Sequence, residues 1–147
     1  MTNDEFERLL KLNKHFEVLN IKLPIAGERS KPFKVLSDST RDIFLLDIDR
    51  KSSITLTRKK LQNRHSNTNT MMIRVEIDCR PHMYGDGRLS SRNHIHIFDE
   101  KLGNKVYDLD KGYDKFFKNT SDFSLIFSDF CKMCNINIDS ILIQGVI

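Results

Sequence analysis

His94 and His96 flank Ile95 in the run Asn93-His94-Ile95-His96-Ile97-Phe98, whose polar and apolar residues alternate as in a strand. Residues two apart on a strand leave the same face, so both imidazoles share it. His82, directly after Pro81, brings three of the five histidines into residues 82–96. Imidazole is the side chain that titrates nearest neutrality, so this density points to proton transfer or metal ligation. The stretch just before, residues 72–80, alternates as well: Ile73, Val75, Ile77 and Cys79 fall on one face, and Arg74, Glu76, Asp78 and Arg80 on the other. If the two strands are neighbours across the 81–92 loop, one polar sheet face carries two arginines, two carboxylates and two imidazoles.

Cleaving a phosphodiester requires a group that takes a proton, a group that gives one, and cations that hold the charged phosphorane. His94 and His96, joined by His82, supply the acid and base. Asp78 or Glu76 orients an imidazole. Arg64, Arg74 and Arg80 bind phosphate, with Lys60 and Gln62 extending the substrate contact. With RNA the 2′-hydroxyl is the nucleophile, so the expected reaction is metal-independent and needs no cofactor. The competing reading uses the same atoms: His82, His94 and His96 with Asp78 form a three-nitrogen, one-oxygen set for a divalent metal such as zinc, iron or manganese, in a hydrolase or oxygenase. Gly87, His94, His96 and Glu100 also approach the cupin spacing. Cupins, however, are double-sheet barrels with a second histidine motif, and no histidine follows His96.

These groups need a frame. Residues 4 to about 19 read as a helix, because Phe6, Leu9, Leu10, Phe16 and Leu19 gather near one face and Thr2 or Asn3 can cap it. Pro24 and Gly27 end that regime. Residues 33–36, 43–49 and 53–57 read as short strands, the second and third pairing as a hairpin. Residues 62–70 read as a polar bridge. Near the C-terminus Ser121 can cap a helix with Phe123, Ile126, Phe127, Phe130, Cys131 and Cys134 on a single stripe, stopped at Asn135. The tail, 138–147, is apolar enough for a last strand or a packed extension. The predicted fold is α+β: a mainly antiparallel sheet flanked by an N-terminal and a C-terminal helix, a single domain over 1–147, with His94 and His96 on the accessible face.

The chain has 147 residues, 30% charged and 39% hydrophobic, as in a folded protein that closes its own core. Its net charge of +4 is compatible with polyanion binding but too mild to establish it. Arg58-Lys59-Lys60-Leu61-Gln62-Asn63-Arg64-His65 concentrates that charge, either as a nucleic-acid contact or as a solvated connector. The polar start predicts no secretory signal, and no apolar run approaches a membrane span; a cytoplasmic protein is expected. Cys79, Cys131 and Cys134 are expected as thiols, the last two as buried members of a helix stripe rather than a zinc or redox Cys-x-x-Cys. Gly85-Asp86-Gly87 reads as a turn in which Asp86 hydrogen-bonds back to the loop or orients His82. His15 is expected exposed on the first helix, and His65 as an extension of the basic run.

The run from Gln62-Asn63-Arg64 through Arg74-Val75-Glu76-Ile77-Asp78, Pro81-His82, Asp86-Gly87 and His94-Ile95-His96-Ile97 resembles a family of small uncharacterised bacterial and phage proteins, a domain of unknown function. Phe130-Cys131 and Cys134-Asn135-Ile136 resemble its C-terminal end. Tyr84-Gly85 stands where that family carries Asn-Pro, which removes the loop amide. More distantly, the order Arg-x-Asp, Pro-His, His-x-His is similar to TumE-type toxins of toxin–antitoxin pairs. The resemblance implies a toxin-like ribonuclease, with RNA or a nucleoprotein as target and a cognate antitoxin as partner. The alternative is a non-catalytic phage or mobile-element protein that binds and inhibits a host nucleoprotein or defence complex through its basic segment.

Overall fold

Period-two alternation dominates the chain, and a sheet dominates the fold. The computed structural model describes residues 1–52, 54–113 and 115–145. Its strands are β1 (Lys14–Phe16), β2 (Asn20–Lys22), β3 (Phe33–Ser37), β4 (Ile43–Asp49), β5 (Lys59–His65), β6 (Thr70–Ile77), β7 (His94–Asp99), β8 (Gly103–Asp108), β9 (Ile136–Asn137) and β10 (Leu142–Gln144), with helices α1 (Asn3–Lys11) and α2 (Phe123–Met133). Eight strands form one sheet in the order β8-β7-β6-β5-β4-β3-β1-β9, and β2 pairs with β10 in a second. Every pairing in the large sheet is antiparallel except β1 with β9. The fold is α+β, as the alternation and the two apolar stripes predict.

One face of the central strands builds the core. Phe44, Leu46 and Ile48 of β4, Leu61 of β5, Val75 of β6 and Ile95 of β7 are fully buried. They cluster with Phe123, Ile126, Phe127, Phe130 and Cys131 of α2. Phe127 stacks on Phe16 with ring centroids 6.1 Å apart. The alternation of β4 and β5 turns their other residues, Asp47, Asp49, Lys60, Gln62 and Arg64, to the opposite face.

Several elements differ from the sequence expectation. The first helix ends at Lys11, not near 19, because residues 14–16 pair with both β3 and β9. Leu19, expected on the helix stripe, is 68% exposed. Residues 54–57 form no strand, and Ser53 lies outside the described residues; the partner of β4 is β5, in the stretch read as a connector. There the aliphatic stem of Lys59 and the ring of His65 take inward positions that the pattern of apolar residue types hides. The cap of α2 is Asp122 rather than Ser121, its carboxylate accepting from the Ser124 and Leu125 amides. Asn135 does stop that helix, at φ 58°. Of the expected tail strand, 142–144 pairs with β2, whereas Val146 and Ile147 lie outside the described residues. All three cysteines are buried free thiols. No described helix is long and apolar enough to cross a membrane.

Candidate functional site

Antiparallel pairing of β6 with β7 sets Glu76 opposite His94 and Arg74 opposite His96. Side chains directly opposite on one face are near neighbours, so this register alone forces a carboxylate, a guanidinium and two imidazoles together. The 81–92 loop folds back over them: Met83 bridges to Leu89, and the Ser90 hydroxyl accepts from the His82 amide at 2.8 Å. Gly87, at φ 87°, permits the reversal at the loop tip. The result is a cavity of about 520 Å³ lined by Arg74, Glu76, Arg80, Pro81, His82, Met83, Leu89, His94 and His96. The ring centroids of His94 and His96 are 5.1 Å apart, and those of His82 and His96 are 5.4 Å apart.

The three imidazoles are not equivalent. His94 and His96 are 0% and 3% exposed, although the alternation expects them on an accessible face; the folded-back loop and β8 cover them. His82 alone of the three is exposed, at the mouth. His94 Nδ1 donates to the Ser91 carbonyl at 2.9 Å, and its Nε2 lies 2.9 Å from Glu76 Oε2. The Ser91 carbonyl can only accept, which assigns the Nδ1 proton, and the carboxylate of Glu76 faces Nε2. His96 Nδ1 donates to Asn104 Oδ1 at 3.0 Å. Its Nε2 is buried and has no hydrogen-bond partner among the described residues; Glu76 Oε1 stands 3.7 Å away. Burial pushes His96 down to about 4, and nearby Arg74 adds to that, outweighing the Asn104 hydrogen bond. The ring is therefore neutral near pH 7, with its Nε2 lone pair uncommitted.

Burial alone would raise the Glu76 carboxyl, but the His94 hydrogen bond and the charges of Lys60 and Arg74 overcome it and hold the group at about 2. Arg74 Nε lies 3.0 Å and Lys60 Nζ 3.7 Å from Glu76 Oε1. Glu76, His94 and His96 each offer one donor atom, all within 4.8 Å of one another. A second cavity of about 600 Å³, lined by Arg29, Lys31, Asp47, Asp49, Lys60 and Gln62 among others, shares Arg74 with the first.

Of the residues singled out in the sequence, His82, His94, His96, Arg74 and Arg80 meet around the first cavity, and Lys60 and Gln62 line the second. Asp78 does not join them. At φ 52° it leaves the β6 alternation, a conformation aspartate tolerates, and its carboxylate accepts from the Thr57 hydroxyl and from Arg92 Nε at 2.8 Å. Glu76 takes the orienting position instead. Arg64 is also elsewhere, clamped on Asp47 through Nε at 2.5 Å and Nη2 at 3.0 Å. Asp86 hydrogen-bonds back to its own loop, accepting from the Arg88 amide and side chain, as one of its two expected roles has it, and does not orient His82. Glu100, the cupin-like position, pairs with Asn3.

The basic run forms no continuous patch. Lys59 is buried and donates to the Thr57 and Thr120 carbonyls, Lys60 faces Glu76, and Arg58 reaches Asp49. His65 is buried between Asp42 and Thr68, and His15 sits on β1 with Asp38 at 2.5 Å. Asn104, which orients His96, has no sequence signal, since β8 itself is not distinguished by pattern.

A family model described as a family of unknown function (DUF6978) matches residues 1–136. No curated protein matches the chain, and no solved structure does.

Proposed function

We propose, for a chain that belongs to DUF6978, a family of unknown function, that the pocket under the 81–92 loop cleaves RNA phosphodiesters and that the protein acts as a toxin-like ribonuclease. The observation that carries this reading is the meeting of His82 with His94 and His96 beside Arg74 and Arg80 in one cavity. Each part has a chemical use. Arg80, exposed at the rim, and Arg74, on the wall, hold a phosphate. The 2′-hydroxyl attacks the adjacent phosphorus, giving a cyclic phosphate and a free 5′-hydroxyl. Its proton leaves toward His96, which lines the floor of the cavity and whose Nε2 has no hydrogen-bond partner among the described residues. His82 at the mouth returns a proton to the departing 5′-oxygen. The second cavity, reached past Arg74, carries Arg29 and Lys31 beside Asp47 and Asp49, and its two cations can meet a neighbouring stretch of sugar-phosphate.

A cytoplasmic setting, a cognate antitoxin and a mobile-element origin belong to the same proposal. The binding-only alternative depends on the 58–65 run, whose cations are committed internally, and so draws less support. The test incubates the purified chain with an RNA oligonucleotide and with its DNA counterpart. We expect RNA to be cut and DNA, lacking the nucleophile, to survive. A chain that cuts no RNA and is harmless when expressed removes the reading.

A further inference from the structure

We infer that Glu76, His94 and His96 form a binding site for a divalent transition cation, with Zn²⁺ the best-fitting class. Three independent features of the geometry converge on it. First, both imidazoles are presented the same way. His94 Nδ1 is fixed by the Ser91 carbonyl and His96 Nδ1 by Asn104 Oδ1, so each ring turns its Nε2 toward Glu76. Hydrogen bonds of this kind at the far nitrogen are what orient histidine ligands in metal sites. Second, the spacing suits an ion. Nε2 of His94 lies 2.9 Å from Glu76 Oε2 and Nε2 of His96 3.7 Å from Glu76 Oε1, and one ligand atom from each residue lies within 4.8 Å of the other two, so a small shift reaches the ~3.3 Å that separates ligands on a tetrahedral ion with bonds near 2.0 Å. Third, His96 Nε2 is a buried lone pair with no hydrogen bond. Leaving a buried polar atom unpaired is costly, and an ion in front of it would remove that cost.

Two imidazoles and one carboxylate leave a fourth position open, and the cavity supplies the space in front of it. This ligand set differs from the His82, His94, His96 and Asp78 group suggested by the sequence: the carboxylate is Glu76, and His82 is left free at the mouth. Lys60 and Arg74 oppose a second positive charge here, but both reach Oε1, whereas Oε2 faces His94. An anion held by Arg74 and Arg80 offsets their charge, so the cation is held more tightly when the pocket contains a phosphate. The inference rests on reading this pocket as a reactive site. With the cation bound, His96 Nε2 would be a ligand rather than the proton acceptor, and the ion would supply the activation of the nucleophile in its place.

The test is a Zn²⁺ titration by calorimetry of the full chain after chelator treatment and dialysis, with the melting temperature followed in parallel. The expected result is one Zn²⁺ per chain and a raised melting temperature. His96→Gln should abolish this uptake. Asn104→Ala, which touches no ligand atom and keeps the measurement available if His96→Gln does not fold, should weaken it by roughly 10- to 100-fold. Wild-type chain that takes up no stoichiometric Zn²⁺, or His96→Gln and Asn104→Ala chains that bind as tightly as wild type, overturns the inference. The readout is binding alone. Zn²⁺ uptake without RNA cleavage would therefore keep the site and discard the reaction, and RNA cleavage by a chain that takes up no Zn²⁺ would do the reverse.

Discussion

The division of labour among the arginines can be separated residue by residue. Arg80 lines the reactive cavity, whereas Arg64, equally prominent in the sequence, is held by both oxygens of Asp47. Arg80→Ala should raise KM for RNA about tenfold with little change in kcat, the pattern of a group that binds ground state and transition state alike. Arg64→Ala should leave both constants within about twofold and cost about 1 kcal/mol of stability, as expected of a partly exposed pair. Steady-state kinetics on the two variants, with urea unfolding of the second, checks this; equal losses of activity would contradict it. Alternation made the Arg74, Glu76, His94, His96 face legible before any coordinates, because side-chain direction on a strand follows from residue parity alone. It failed at Asp78, where one left-handed residue ends the parity, and it could not expose Asn104, which contributes only through a strand pairing.

At the level of elements, α2 was legible because its apolar stripe and its stop lie within one contiguous segment, although the cap falls at Asp122, one residue past the expected Ser121. Asp122→Ala removes the acceptor for two amides at its start and should cost about 1 kcal/mol, read as a lower urea midpoint at unchanged slope. An unchanged midpoint would show that the cap adds nothing. The helix expected over 4–19 failed for the opposite reason. Residues 14–16 take their conformation from partners on β3 and β9, distant in sequence, and local periodicity does not encode them. Lys14 shows the consequence. It is fully buried, and its Nζ donates to the Leu10 and Leu12 carbonyls at the end of α1 and to the Cys134 carbonyl at the end of α2. One ammonium thus closes two helix C-termini, a use that no charge count predicts. β5 was misread in the same way, as a connector rather than a central strand, because its inward positions include Lys59, Asn63 and His65.

Over the whole molecule these buried groups set how stability follows pH. Burial pushes Lys14 down to about 8, so between about pH 8 and its ordinary 10.5 the unfolded chain holds a proton that the folded chain has released. Stability rises wherever the unfolded state binds more protons, here by at most about 1.4 kcal/mol per pH unit. Cys134 acts with the opposite sign: burial raises it from 9.0 to about 12, so above pH 9 the unfolded chain loses a proton that the folded chain keeps. Urea unfolding from pH 7 to 11 should therefore show stability climbing past pH 8 and levelling or falling beyond about pH 9. Lys14→Met should lack the climb, and an identical profile in both chains would contradict the assignment. The central claim is that the fold brings an exposed imidazole from the 81–92 loop onto a reactive floor made by β6 and β7. The most direct measurement is the single-turnover cleavage rate of a defined RNA by wild type and His82→Ala, since His82 is surface-exposed and its loss leaves the core untouched. The account predicts a rate at least about 100-fold lower in His82→Ala at an unchanged melting temperature. An equal rate in the two chains would contradict it.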